Sequence, residues 1–250
     1  MLKPEKFQRL RFLESNLETR IFDARDWLST PEALTHLKSG LGARHYVLRH
    51  CREYLERTCF AAKRDALSAD VATEAALHLN GYYLNLRGAL DNLAWILQFE
   101  LQVFPGTTED SGARMKVHLF GDKFLKAVGD RSTPHANHLS AMKSWGLDLA
   151  VLRDPAAHRI PLYVPPGIIT SQDQVDEFRR LDHLSGAPES ELGGKRRIEI
   201  MIEAQQVASF EPVFCVNSES GIKVYNIPKQ LLFDHRHYLH LARKVLEEFK

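Results

Sequence analysis

One apolar seam constrains this chain more than any other feature. Leu79, Tyr82, Tyr83, Leu86, Leu90, Leu93 and Leu97 recur at steps of three and four residues, and Trp95 and Ile96 widen the stripe. That spacing is one face of an α-helix, not the period-two alternation of a strand. A helix over about 71–101 is expected, capped by Asp70 and buried on more than one side. Gly81 and Gly88 share one stripe of it. Glycine weakens a helix, so the stripe predicts the close approach of another backbone.

Similar periodicity marks the flanks. Phe7, Leu10, Leu13, Leu17, Ile21 and Ala24 outline a first helix from Pro4 to Leu28. Thr30 reads as a cap with Pro31 at the first position of a short helix, which Gly40 and Gly42 break. Helices are expected over about 43–66, 122–128, 134–152 and 172–181, with a strand or link at 116–120. Leu162–Pro166, with two adjacent prolines, must be extended. Ser185–Lys195 (SGAPESELGGK) reads as a linker. Arg197–Glu203 alternates in period two, as a half-buried strand does. Val213–Val216 and Ile222–Tyr225 flank a hairpin loop. A last helix over about 229–249 has a broad apolar face and should pack back on the bundle.

The expected fold is thus mainly α. It comprises a helical bundle over 1–184, a linker or loop at 185–195, and a small antiparallel β element with a C-terminal helix over 196–250.

Composition excludes several classes. Thirty-three Lys and Arg against thirty-two Asp and Glu argue against a protein held to nucleic acid by bulk charge. No apolar run is long enough to span a membrane, and the charged start, Met1–Lys6, has no apolar signal region. Three cysteines suit a reducing cytoplasm, not a disulfide scaffold. The chain has no Gly-x-Ser-x-Gly elbow, phosphate loop, Cys-x-x-Cys or His-Glu-x-x-His. His235, His237 and His240 fall around a helix, not on one face, and His135 with His138 lacks a third ligand type. Neither a metal nor a cofactor is expected.

Two segments carry chemistry. One is Leu86–Leu93 in the central helix, with Arg87, Asp91 and Asn92. The other is Leu152-Arg153-Asp154-Pro155-Ala156-Ala157-His158-Arg159. In the second, Arg, a polar residue, three more residues and His fall in the order that resembles the HEPN superfamily. These are helical domains of bacterial defence, toxin–antitoxin and RNA-processing systems, and the resemblance covers about 40–165. It implies a metal-independent endoribonuclease with Arg153, Asp154 and His158 as catalytic residues. It also implies a homodimer or a helical protein partner, so that two motifs share a groove. Single-stranded RNA supplies its own 2′-hydroxyl nucleophile. A histidine can move that proton near neutrality, and an arginine fork can hold two phosphate oxygens. Arg159, Arg87, Asp91 and Asn92 are candidate substrate contacts, and Tyr163 could stack on a base.

The residues also admit plainer roles. Asp154 could cap a short helix begun by Pro155 between two prolines, Arg153 could pair with Asp91 or Asp148, and Arg87 could pair with Asp91. Arg44-His45 with His50 is a second instance of the spacing. The alternative function is a non-catalytic helical module that binds a protein partner or nucleic acid.

Overall fold

In the computed structural model, which describes residues 4–60, 64–158, 160–192, 195–218 and 221–250, the seam folds as one long helix. Side chains at 4–7, 64, 155–158 and 218 lie outside that description. The helices are α1 (Pro4–Asp23), α2 (Pro31–Thr35), α3 (Ala43–Cys59), α4 (Ala69–Leu101), α5 (Asp122–Arg131), α6 (Thr133–Ala141), α7 (Lys143–His158), α8 (Gln172–Gly186), α9 (Arg197–Gln206) and α10 (Ile227–Glu247). The strands are β1 (Arg64–Asp65), β2 (Ser209–Phe210), β3 (Val213–Ser218) and β4 (Gly221–Asn226). The fold is mainly α with a small antiparallel β element. No helix among the described residues is long and apolar enough to cross a membrane.

Helix α4 is the axis. Leu79, Tyr82, Leu90, Leu93 and Leu97 are fully buried, and α2, α3, α5, α7 and α10 pack around it. Ser68, not Asp70, is its cap: the Ser68 hydroxyl accepts from the Val71 amide, while Asp70 sits in the first turn. Helix α3 runs antiparallel to α4, with Arg44 beside Gly88, Cys51 beside Gly81 and Tyr54 stacked on His78. The glycine stripe therefore admits side chains instead of a backbone, since a Cβ on Gly88 would meet the Arg44 guanidinium.

Helix α10 lies parallel to α1: His235 meets Glu14, and Glu247 meets Arg20. As its apolar face requires, it packs on the bundle, burying Leu231, Tyr238, Leu241, Ala242, Val245 and Leu246. Strands β3 and β4 pair in register from Val213↔Asn226 to Ser218↔Gly221. The extended 162–166 segment joins β3 through Tyr163↔Cys215.

Three expectations are corrected. Arg197–Glu203 is helical, as part of α9. Ile200 and Ala204, one turn apart, bury against Leu181 of α8, while Ile198, Met201 and Ile202 stay exposed. The alternation was real but only one helical face found a partner; of the expected linker, 185–186 belong to α8 and the rest lies between α8 and α9. Gly40 and Gly42 do not break the chain: His36–Gly42 is a π-helical segment that leads straight into α3. Gly40 lies under the Asn92 side chain, where a Cβ would not fit. Finally, α7 continues through Asp154 and Pro155 to His158. Proline breaks a helix by clashing one turn back and by lacking an N–H, yet here the apolar face before it, Trp145, Leu149 and Leu152, is anchored in the core.

Candidate functional site

The expected site residues do not converge on one point among the described residues. Arg153 donates to the Asp154 carboxylate at 2.9 Å, and both face solvent in part. It pairs with neither Asp91 nor Asp148. The His158 side chain and Arg159 lie outside the described residues. Four residues past His158 the chain is pinned to α4: Asn80 accepts from the Leu162 amide at 3.0 Å and donates to its carbonyl at 2.9 Å. Tyr163 is 53% exposed and borders an apolar groove of about 880 Å³ that also includes Leu77, Asn80, Cys215 and Ile222.

On α4, Arg87 and Asp91 pair with each other at 3.2 Å, one turn apart. His118, in the loop after Lys116, shares their field. Burial lowers its pKa, Arg87 lowers it further, and Asp91 opposes both. No local spacing connects His118 to α4, so nothing in the chain's pattern signals it. Asn92 points elsewhere, onto Gly40, with its amide nitrogen 3.1 Å from His36 Nδ1. Arg44 lies across Gly88 and donates to Asn85 at 3.1 Å. The second Arg–His spacing is not assembled either: His45 is buried beneath Tyr238, and His50 packs near His78.

The densest polar chemistry lies inside the protein, where sequence reading did not look. Arg52 is 0% exposed and forms a fork on Glu14, at 2.8 and 3.1 Å, with Glu56 on its third nitrogen. His235 lies 2.8 Å from the same Glu14 through Nε2 and 3.0 Å from Tyr82 Oη through Nδ1. A neutral ring with its proton on Nε2 satisfies both contacts, donating to Glu14 and accepting from Tyr82. Burial pushes Glu14 up, but His235 and Arg52 outweigh it and hold the carboxyl down at about 2. Burial lowers His235, with Glu14 opposing. Next to it, Asp234 accepts from Tyr83, Trp145 and Gln230, and its burial raises its pKa. Glu14, Arg52, His235 and Asp234 each meet another helix, so the network ties α1, α3, α4, α7 and α10 together.

The outer side of α10 is the opposite case. Arg9 of α1 and Lys229, Arg236, His240 and Arg243 of α10 line two adjoining depressions of about 330 and 640 Å³. Among the described residues no acidic side chain lines either one. No cluster of three or more metal-ligating side chains occurs among the described residues. Comparison with family models, curated proteins and solved structures finds no match to this chain.

Proposed function

We propose that the protein is a cytoplasmic, metal-independent endoribonuclease of a bacterial defence or toxin–antitoxin type, cleaving single-stranded RNA. One observation carries this reading: α7 runs unbroken through Arg153 and Asp154 to His158. The HEPN resemblance implies a motif carried on a helix, and on a continuous helix Asp154 and His158 are one turn apart. His158 takes the proton of the 2′-hydroxyl. The oxygen attacks the adjacent phosphorus and the 5′-oxygen leaves. Arg153, exchanging Asp154 for phosphate, holds the phosphorane. The products are a 2′,3′-cyclic phosphate and a 5′-hydroxyl. A homodimer, or a helical partner, supplies the second set of proton-transfer groups across a shared groove. Arg159 and Tyr163, neighbours in sequence, and Arg87 of α4 would serve as substrate contacts.

The test is incubation of RNA with wild type, His158→Ala and His118→Ala in EDTA, followed by end-group analysis. Wild type should cleave, and His158→Ala should lose about 10²–10⁴ in rate. Loss only in His118→Ala would move the chemistry to Arg87, Asp91 and His118. Inhibition by EDTA would overturn the mechanism. A second reading, a non-catalytic module that binds a protein partner, draws support from the Arg153–Asp154 pair and from the apolar groove beside Tyr163.

A further inference from the structure

We propose that the groove between α1 and α10 binds the backbone of single-stranded nucleic acid. This surface lies outside the residues that carry the HEPN resemblance, and it is argued from charge and shape alone.

Lys229, Phe233, Arg236, His240 and Arg243 follow one another at steps of four, three, four and three, so they form one stripe along α10. From Lys229 to Arg243 the stripe is about 21 Å long, enough for a few nucleotides. Arg9 stands on the opposite wall, and Leu10, Leu13, Leu232 and Leu239 form the floor. Arg243 reaches Glu247 at 3.6 Å. Arg9, Lys229 and Arg236 form no ion pair among the described residues. Other arginines are paired with carboxylates, as at Arg49–Glu18, Arg52–Glu14 and Arg180–Glu177. Those without an ion pair among the described residues, such as Arg57, Arg114, Arg131 and Arg179, do not share one groove, and what distinguishes Arg9, Lys229 and Arg236 is that they do. In a chain of net charge +1, four cations, three of them without an ion pair, around a groove whose described lining holds no acid are a local excess that attracts a polyanion.

The aromatic groups select a single strand. Phe233 is 51% exposed. Its ring packs on His237 at 4.1 Å, and His237 stacks on the buried Trp145 at 5.4 Å. The rings run from the buried Trp145 through the half-buried His237 to Phe233, tilted against it, and the exposed Phe233 ring is where an unpaired base can stack; in a duplex the bases are already stacked. A membrane-surface helix would carry its apolar side chains on the crest. Here the leucines form the floor and the charges form the rims.

Phe233 also borders a third depression, of about 380 Å³, lined by Trp145, Asp148, Leu149 and Leu152 of α7 and by Lys223 and Asp234. Arg153 follows Leu152 in sequence, and Trp145 to Arg153 is about 12 Å of helix. This depression, with two acids and one lysine in its lining, lies on the side of the groove toward the Arg153 segment. Delivery of a strand to that segment rests on the nuclease reading; binding in the groove does not.

The experiment measures anisotropy of a labelled short oligo-DNA, and of RNA of the same sequence, with the full chain in EDTA. The DNA lacks the 2′-hydroxyl and cannot be cleaved by the proposed chemistry. Both should bind, with log K falling against log salt at a slope of about −3, the value for four phosphates neutralised on a single strand. The Lys229→Glu/Arg236→Glu variant should bind roughly tenfold more weakly or worse while keeping the wild-type melting curve. Phe233→Ala should weaken binding without changing the salt slope. Full affinity in the double variant, or no binding of either oligonucleotide at low salt, would overturn the proposal. So would binding to phosphatidylserine vesicles in place of oligonucleotides. Binding without RNA cleavage would sink the nuclease reading alone. Cleavage with an unimpaired double variant would sink the groove alone.

Discussion

Helix α10 carries charge on both of its faces, and the two faces follow opposite rules. On the inner face, His235 and Asp234 are buried and each polar atom meets a partner from another helix. On the outer face, Lys229 and Arg236 stand in a groove whose described lining holds no acid. A buried charge is tolerated only when it is paired, so the inner face reports what the fold needs. An exposed cation can remain unpaired at little cost, so a concentration of such cations has no structural origin and points outward. The same helix thus separates stability from recognition.

The largest effect should come from the inner face. Glu14→Ala removes the acceptor that Arg52 and His235 share, and should cost about 3 kcal/mol, because the buried Arg52 then keeps only the half-buried Glu56 and the more exposed Glu53. Urea unfolding measures this. The double variant Glu14→Leu/Arg52→Met should recover much of the loss, since the pair can be replaced by apolar packing. A midpoint unchanged by Glu14→Ala would erase the distinction between the two faces.

Acid should expose the same asymmetry. Burial holds His45 down at about 4, against 6.5 for the ordinary imidazole. The unfolded chain therefore binds a proton that the folded chain refuses. His45 stabilises the fold fully above about pH 6.5, and that contribution is lost as the pH falls toward 4, by about 3 kcal/mol in all. Below 4.5, Glu14 adds a further loss as its carboxyl approaches about 2. Unfolding free energy measured from pH 7 to 4 should fall steeply in wild type and less in His45→Phe. Equal slopes would show that His45 does not govern acid stability.

The smallest effect should be at Gly88. Alanine there displaces the Arg44 guanidinium and its bond to Asn85, but Arg44 is half-exposed and flexible, and alanine favours the helix by about 1 kcal/mol. Gly88→Ala should therefore change stability by less than about 1 kcal/mol. A loss of several would show that Arg44 belongs with the inner, obligatory set of charges.

How much could be read from the chain depends on how local each feature is. The seam of α4, the Thr30–Pro31 start of α2 and the apolar face of α10 were legible, because a helix that buries one face writes its period into consecutive residues. Of the candidate site, the Arg87–Asp91 pair was legible for the same reason, being one turn apart. The basic stripe on α10 was present in the sequence at helical spacing, but its second wall, Arg9, lies more than two hundred residues away, and only parallel packing of α1 on α10 makes the groove.

The sequence by itself determined a mainly helical protein organised on one long central helix, because apolar periodicity follows from burial on one face. Tertiary structure decided the rest. Arg197–Glu203 became a helix because α8 offered a partner to Ile200 and Ala204, and no strand offered one to the alternation. The π-helical segment at His36–Gly42 lies against Asn92, a neighbour supplied by α4. Glu14, Arg52 and His235 became obligatory, and Lys229 and Arg236 remained free, according to which sides of α1, α3 and α10 faced one another. Such pairings join residues far apart in the chain, and no local pattern encodes them.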